Sequence, residues 1–155
     1  MVFYLFFIYK PVHLFNQNQM TMSEQNKTLM LRWFDEVWNH GNEQLIDEIL
    51  HADVKAHGLG PEPLIGPSAF KSFYKTFTAA YSNIKVIVDK NLTDGNFVTA
   101  MCTVNATHIK TNTPVKFSGV TVSEIVDGKT VNGWNYFDFL SLNLQIGKIS
   151  PSQLQ

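Results

Sequence analysis

The chain has 155 residues, 45% of them apolar, and its 12 basic and 13 acidic side chains leave a net charge of −1. A chain of this size buries about 68–70% of its unfolded surface, so one globular domain with a single core is expected. The balanced charge excludes the basic footprint of a nucleic-acid or anionic-membrane binder, and the lone Cys102 excludes an internal disulfide, a cysteine zinc site and a redox pair, which fits a reducing, cytoplasmic compartment.

Residues 1–9, MVFYLFFIY, form an apolar run that stops at Lys10. Membrane spans need about 18 consecutive apolar residues, and secretory signals carry basic residues before the apolar core and a small-residue cleavage site after it. Neither pattern is met. Residues 1–19 therefore read as a non-structural leader, with a targeting segment as the alternative, and the domain is expected over 20–148, followed by a frayed tail over 149–155.

Thr21-Met22-Ser23-Glu24 matches a capping box and opens a helix carrying Met30, Trp33, Phe34, Val37 and Trp38. Gly41 stops it, and Asn42 is expected to cap a shorter helix that buries Leu45, Ile46, Ile49 and Leu50. A short strand around Val54 to His57 and a Gly/Pro loop follow. Gly66-Pro67 then begins a third helix, whose aromatic stripe Phe70, Phe73, Tyr74, Phe77 and Tyr81 recurs at helical spacing. After Asn83 the period becomes alternating. Ile84 to Leu92, Phe97 to Lys110, Val115 to Val126 and Lys129 to Leu140 read as four strands separated by turn residues. Helices followed by a meander of strands make the class α+β, with the helices against one face of the sheet.

Along residues 115–126 one face presents Phe117, Gly119, Thr121, Ser123 and Ile125, with apolar ends and a small, polar middle; the other presents Val120 and Val122. A packed core would favour large apolar groups in that middle, so the pattern points to a pocket for a small, largely apolar ligand. The partners of that face depend on the Asp127-Gly128 hairpin. A two-residue loop sets Thr121 beside Trp134, whereas a three-residue loop sets Gly119 opposite Asn135. The second is preferred because it repeats the same pattern in Val131, Gly133, Asn135 and Phe137. It also sends Trp134 and Tyr136 to the Val120 and Val122 face, where an uncovered apolar patch would call for a homodimer through the sheet.

The blocks NKTLMLRWFDEVWNHGN, LHADVKAHG, IGPSAFKSFYKTF, FSGVTVSEIVDGK and GWNYFDFL, in this order between Glu24 and Gln145, resemble the SnoaL-like polyketide cyclases of the nuclear-transport-factor-2-like superfamily. The resemblance implies a cone-shaped curved antiparallel sheet, an α+β barrel, with the N-terminal helices on its concave side, and a homo-oligomer with a deep pocket. It implies acid/base aldol chemistry without metal or organic cofactor. The family's acid/base carboxylate falls at Asn135, the histidine two positions before it at Gly133, and a further histidine at Ser123. An amide holds an oxygen but does not exchange a proton near neutral pH.

Candidate ligand contacts are therefore Asn135, Thr121, Ser123, Gly119, Phe117 and Phe77. Asp138 and His57 are the candidate catalytic proton carriers; a structural role for Asp138 in capping and a surface role for His57 are the alternatives. His40 and His51 read as favourable charges at helix C-termini and His108 as a rim residue. No metal-ligand spacing is present. Two functions follow: a non-catalytic pocket for a cyclic or polyketide-like carbonyl compound, or a divergent cofactor-independent cyclase, isomerase or dehydratase.

Overall fold

The computed structural model describes residues 21–154, and the leader expected at 1–19 lies outside them. Helix α1 spans Met22–Arg32, and Thr21 Oγ1 accepts from the Glu24 amide at 3.2 Å, satisfying one of the orphan donors of the first turn. One continuous α-helix was expected through Trp38. Instead α1 passes directly into a π-helical segment, Trp33–Asn39. In a π-turn residues five apart become neighbours. Trp33 and Trp38 accordingly both reach the ring of Phe70, at centroid distances of 5.0 and 6.3 Å.

Helix α2 spans Gln44–Ile49, with Glu43 rather than Asn42 at its cap position, and buries Leu45, Ile46 and Ile49. Full burial of one such side chain contributes roughly 1.5–3 kcal/mol. Strand β1, Leu50–His57, starts earlier than its sequence pattern indicated, and β2, Leu64–Ile65, pairs with it. Helix α3, Gly66–Ala80, carries Pro67 in its first turn, where the missing N–H costs nothing. Its buried Tyr74 donates a hydroxyl hydrogen bond to the Val37 carbonyl at 3.1 Å, tying α3 to the π-helical segment.

Strands β3 (Tyr81–Asp94), β4 (Phe97–His108), β5 (Thr113–Val126) and β6 (Lys129–Phe137) complete a six-stranded sheet of order β2-β1-β6-β5-β4-β3. Every pairing is antiparallel except β1 with β6. Register shifts in β3 and β6 mark the bulges that curve the sheet, which stays open at β2 and β3. The β3 edge is partly closed by a side chain. Asn39 donates to the Val86 carbonyl at 3.0 Å and accepts from the Val86 amide at 2.7 Å, standing in for a neighbouring strand.

The helices cover the face that carries the buried Val98, Ala100, Cys102, Val104 and Ala106 of β4 and the buried Phe117, Thr121, Ser123 and Ile125 of β5. The opposite face is uncovered. There Val120 pairs with Tyr136 and Val122 with Trp134, and Tyr136 is 66% exposed, with Met101 and Phe97 each at 43%.

The β5–β6 hairpin follows neither register read from the sequence. Its loop is two residues, since Val126 pairs with Lys129. Asp127 (φ 50) and Gly128 (φ 73) supply the two left-handed positions that a tight hairpin turn of this hand requires. Ile125 then pairs with Thr130 but Glu124 pairs with Asn132, which leaves Val131 as an extra residue on β6. That bulge shifts the pairing by one and sets Thr121 opposite Asn135, Gly119 opposite Phe137 and Ser123 opposite Gly133. The face assignment of Asn135 survives because the bulge restores the parity. Val131 is displaced from it, and buried Thr130 takes its place.

The final strand was expected to reach Leu140 but ends at Phe137. Asp138 caps helix α4, Phe139–Gln145, its carboxylate accepting from the Ser141 amide at 2.8 Å. A 3-10 turn, Pro151–Leu154, follows. Among the described residues no helix is long and apolar enough to cross a membrane.

Candidate functional site

Between the helices and the covered sheet face lie two cavities that meet at two residues, Phe70 and Asn135. The first is lined almost wholly by apolar side chains. Trp38, Phe70, Phe73 and Phe77 from the helices form one wall. Ile84, Val86, Val104, Phe117 and Phe137 from the sheet form the other, with Leu59 and Phe139 completing the lining. The α3 stripe that reads as core in sequence is thus part core and part cavity wall, with Tyr74 buried in the core and Phe70, Phe73 and Phe77 bordering the cavity. Phe73 stacks toward Phe77 at 6.2 Å and Phe77 on Tyr81 at 4.7 Å.

Asn135 is the one polar side chain in that lining. Its Oδ1 accepts from the Thr121 hydroxyl at 3.0 Å and its Nδ2 donates to the His57 carbonyl at 3.0 Å. An amide offers two N–H groups and two oxygen lone pairs, so one of each remains for a third group. The approach of β1 that makes this possible depends on Gly58. A Cβ there would lie 2.0 Å from the Asn135 backbone oxygen, and its φ of +79° belongs to the left-handed region.

The second cavity lies between α1, the π-helical segment, α2, β1 and the β5–β6 face. Its apolar wall includes Met30, Trp33, Ile49 and Val54, and its polar wall Thr121, Ser123, Thr130 and Asn135.

The sequence candidates are therefore distributed as follows. Asn135, Phe117 and Phe77 line the first cavity, and Asn135, Thr121 and Ser123 the second. Gly119 lines neither, because the Phe137 ring lies over it; a Cβ at Gly119 would come within 2.3 Å of that ring. His57 contributes its carbonyl, while its ring stacks on Trp134 at 5.6 Å and 6° on the uncovered side. Asp138 lines neither cavity and caps α4. His108 bonds Thr111 Oγ1 at 2.8 Å at the end of β4, and His40 lies 2.8 Å from the Asp35 carbonyl.

Trp38, Phe70 and Phe73 were missed as cavity residues, since spacing alone cannot separate an aromatic that fills a core from one that borders a void. The electrostatics of the site are those of a neutral compartment. No lining side chain of either cavity titrates near neutral pH. Burial pushes the phenol of Tyr74 up, with the Glu43 carboxylate adding to the effect, and burial likewise raises Tyr81; the Cys102 thiol is pushed up to about 12 by burial, with Asp89 adding to it. Among the described residues no group of His, Cys, Asp and Glu side chains is placed to hold a metal ion.

The family model described as SnoaL-like polyketide cyclase matches residues 28–146. A protein from Jannaschia sp. CCS1 described as a SnoaL-like polyketide cyclase is similar in structure, with a TM-score of 0.77 and 17% identity over 86% of this chain and 99% of that one. A Bacillus cereus protein described as a polyketide cyclase gives 0.73 and 25% over 81% and 83%. AclR of Streptomyces galilaeus, described as a hydroxylase, gives 0.73 and 21% over 83% and 99%. No curated protein sequence matches the chain. Likeness at such identity is likeness of fold, and chemistry has to be argued from the site.

Proposed function

Because the chain belongs to the SnoaL-like polyketide cyclase family, we propose that it binds a small, largely apolar cyclic or polyketide-like carbonyl compound in the aromatic cavity, with Asn135 holding the ligand oxygen. The observation that carries this reading is a single amide, already oriented by Thr121 and His57, in a lining otherwise made of aromatic and aliphatic side chains. Such a wall favours flat apolar rings, and the remaining N–H of Asn135 supplies one directional donor. The absence of a titratable side chain from the lining supports binding over acid/base turnover. A divergent cyclase, isomerase or dehydratase using Asp138 or His57 has weaker support, since both side chains are engaged away from the cavities.

The working unit in this reading is a homodimer joined through Val120, Val122, Trp134 and Tyr136, an apolar patch on a face that no helix covers. The lone buried Cys102 suits a reducing compartment such as the cytoplasm.

Titration with alpha-tetralone, a two-ring ketone, tests the pocket directly. Asn135→Ala should weaken its binding by about 0.5–1.5 kcal/mol, the net worth of one hydrogen bond. Equal affinity of wild type and variant would refute the assignment of the amide.

A further inference from the structure

Strand β3 forms one open edge of the sheet, with β4 on one side and no strand on the other. Its segment Ile84-Lys85-Val86-Ile87-Val88-Asp89 is rich in β-branched residues, contains no proline or glycine, and carries no net charge, since Lys85 and Asp89 cancel. Short stretches of this composition pair readily with copies of themselves when their backbone groups are exposed. Extra residues on β3 interrupt the ladder on either side, between Ser82 and Lys85 and between Val88 and Lys90. From Lys85 to Val88 the pairing with β4 is regular.

The outward backbone groups of Val86 are taken by one side chain. Asn39, the last residue of the π-helical segment, donates to the Val86 carbonyl at 3.0 Å and accepts from the Val86 amide at 2.7 Å. In an antiparallel ladder the N–H and C=O of one residue point to the same side, and the side alternates along the strand, so Val88 presents its own pair to the same edge. Among the described residues nothing outside the sheet bonds the Val88 pair. A groove runs beside this edge, with exposed Leu31 on its helical side and exposed Ile87 on its strand side.

We infer that the edge from Ile84 to Val88 is a self-pairing surface for a second copy of this chain, and that the Asn39 amide holds it shut. The occupant follows from the order of residues along the edge. Two β3 strands laid antiparallel about a two-fold axis at Ile87 set Val86 of one copy against Val88 of the other as hydrogen-bonded pairs, Ile87 against Ile87, and Lys85 against the oppositely charged Asp89. That pairing needs the N–H and C=O of Val86, so the Asn39 amide and a second strand compete for the same two atoms. The intramolecular bonds prevail in the native chain because they cost no association entropy. The edge is separate from both cavities and from the sheet face that carries Trp134 and Tyr136.

Wild type, Asn39→Ala and the double variant Asn39→Ala/Ile87→Lys are compared as full chains by sedimentation velocity and by amide hydrogen exchange, each at low and high protein concentration. Wild type should show a protected Val86 amide and a fast Val88 amide at both. Asn39→Ala should form a species of about twice the wild-type mass at high concentration, with its Val88 amide slowed about tenfold or more relative to the dilute sample. Ile87→Lys sets two lysines face to face at the two-fold axis and should return the variant to the wild-type mass. Unchanged sedimentation of Asn39→Ala would overturn the inference. So would association that leaves the Val88 amide fast or that Ile87→Lys does not reverse, since the chains would then be joined elsewhere. If Asn39→Ala does not fold, Asn39→Ser takes its place, because a short hydroxyl cannot span both Val86 groups. A wild-type Val88 amide as protected as that of Val86 would overturn the inference whether or not either variant folds.

Discussion

Thr121 and Asn135 stand directly opposite one another on β5 and β6, and the Thr121 hydroxyl donates to Asn135 Oδ1 at 3.0 Å. Because Asn135 Nδ2 is simultaneously bonded to the His57 carbonyl, the amide has one orientation that satisfies both neighbours. Its surroundings are built for an amide: a donor on one side of it and an acceptor on the other.

Asn135→Asp should therefore not produce an ordinary carboxylate. The new carboxyl loses the N–H that met the His57 carbonyl, and it lies among the aromatic rings of the cavity. Both effects disfavour the charged form, so its folded pKa rises above the unfolded value of about 3.9. Between those two values the native state holds the extra proton. Stability relative to wild type then falls as pH rises through that window and levels off above it. Urea midpoints measured at intervals from about pH 4 to pH 8 check this; a variant whose deficit is independent of pH would contradict it.

Gly58→Ala should be among the most damaging small substitutions in the domain. The added methyl would meet the Asn135 backbone oxygen at 2.0 Å, at a φ of +79° that alanine adopts with strain. A loss of about 3 kcal/mol or more is expected, together with loss of tetralone binding as β1 is pushed off β6. Denaturant unfolding measures the first effect. A change within about 0.5 kcal/mol, the ordinary range for a neutral surface substitution, would mean that the close approach does not exist in solution.

Trp134→Ala removes the largest side chain of the uncovered face, paired with Val122 and stacked on His57. If that face joins two copies, sedimentation velocity should show a dimer for wild type and a shift toward monomer for the variant. A monomeric wild type, or a variant dimer of unchanged stability, counts against this interface.

Cys102 is buried and its thiol is pushed up to about 12. Since the thiolate is the reactive form, the native protein should be inert to Ellman's reagent near pH 8 and should react only as it unfolds. The same shift has a sign for stability. The native state keeps its proton between the unfolded thiol value of about 8.5 and the raised one, so stability decreases as pH climbs through that range. Tyr74, also raised by burial, acts in the same direction. Rapid labelling of the folded protein near pH 8 would show that the thiol is reachable.

Amino-acid order by itself was sufficient for everything that depends on local period. It specified the starts of α1 and α3, the change from helices to alternating strands, though β3 begins at Tyr81 rather than after Asn83, the turn residues Asp127 and Gly128, and the face that Thr121, Ser123 and Asn135 share. These are properties of neighbours within a few residues, where propensity, capping and alternation act directly. Tertiary structure decided the rest. The extra residue at Val131 is invisible to alternation, because a bulge followed by a two-residue loop leaves Asn135 on the same face as an unbulged hairpin of different length, yet it selects Thr121 as the partner. The ring of His57 and the carboxylate of Asp138 were candidates by residue type, and their directions were set by the parallel β1–β6 pairing and by the start of α4. Whether Phe73 fills a core or borders a void depends on what the elements distant in sequence place opposite it. The opposite wall comes from Ile84, Val86, Val104, Phe117 and Phe137, side chains distant in sequence, and no local pattern encodes that juxtaposition.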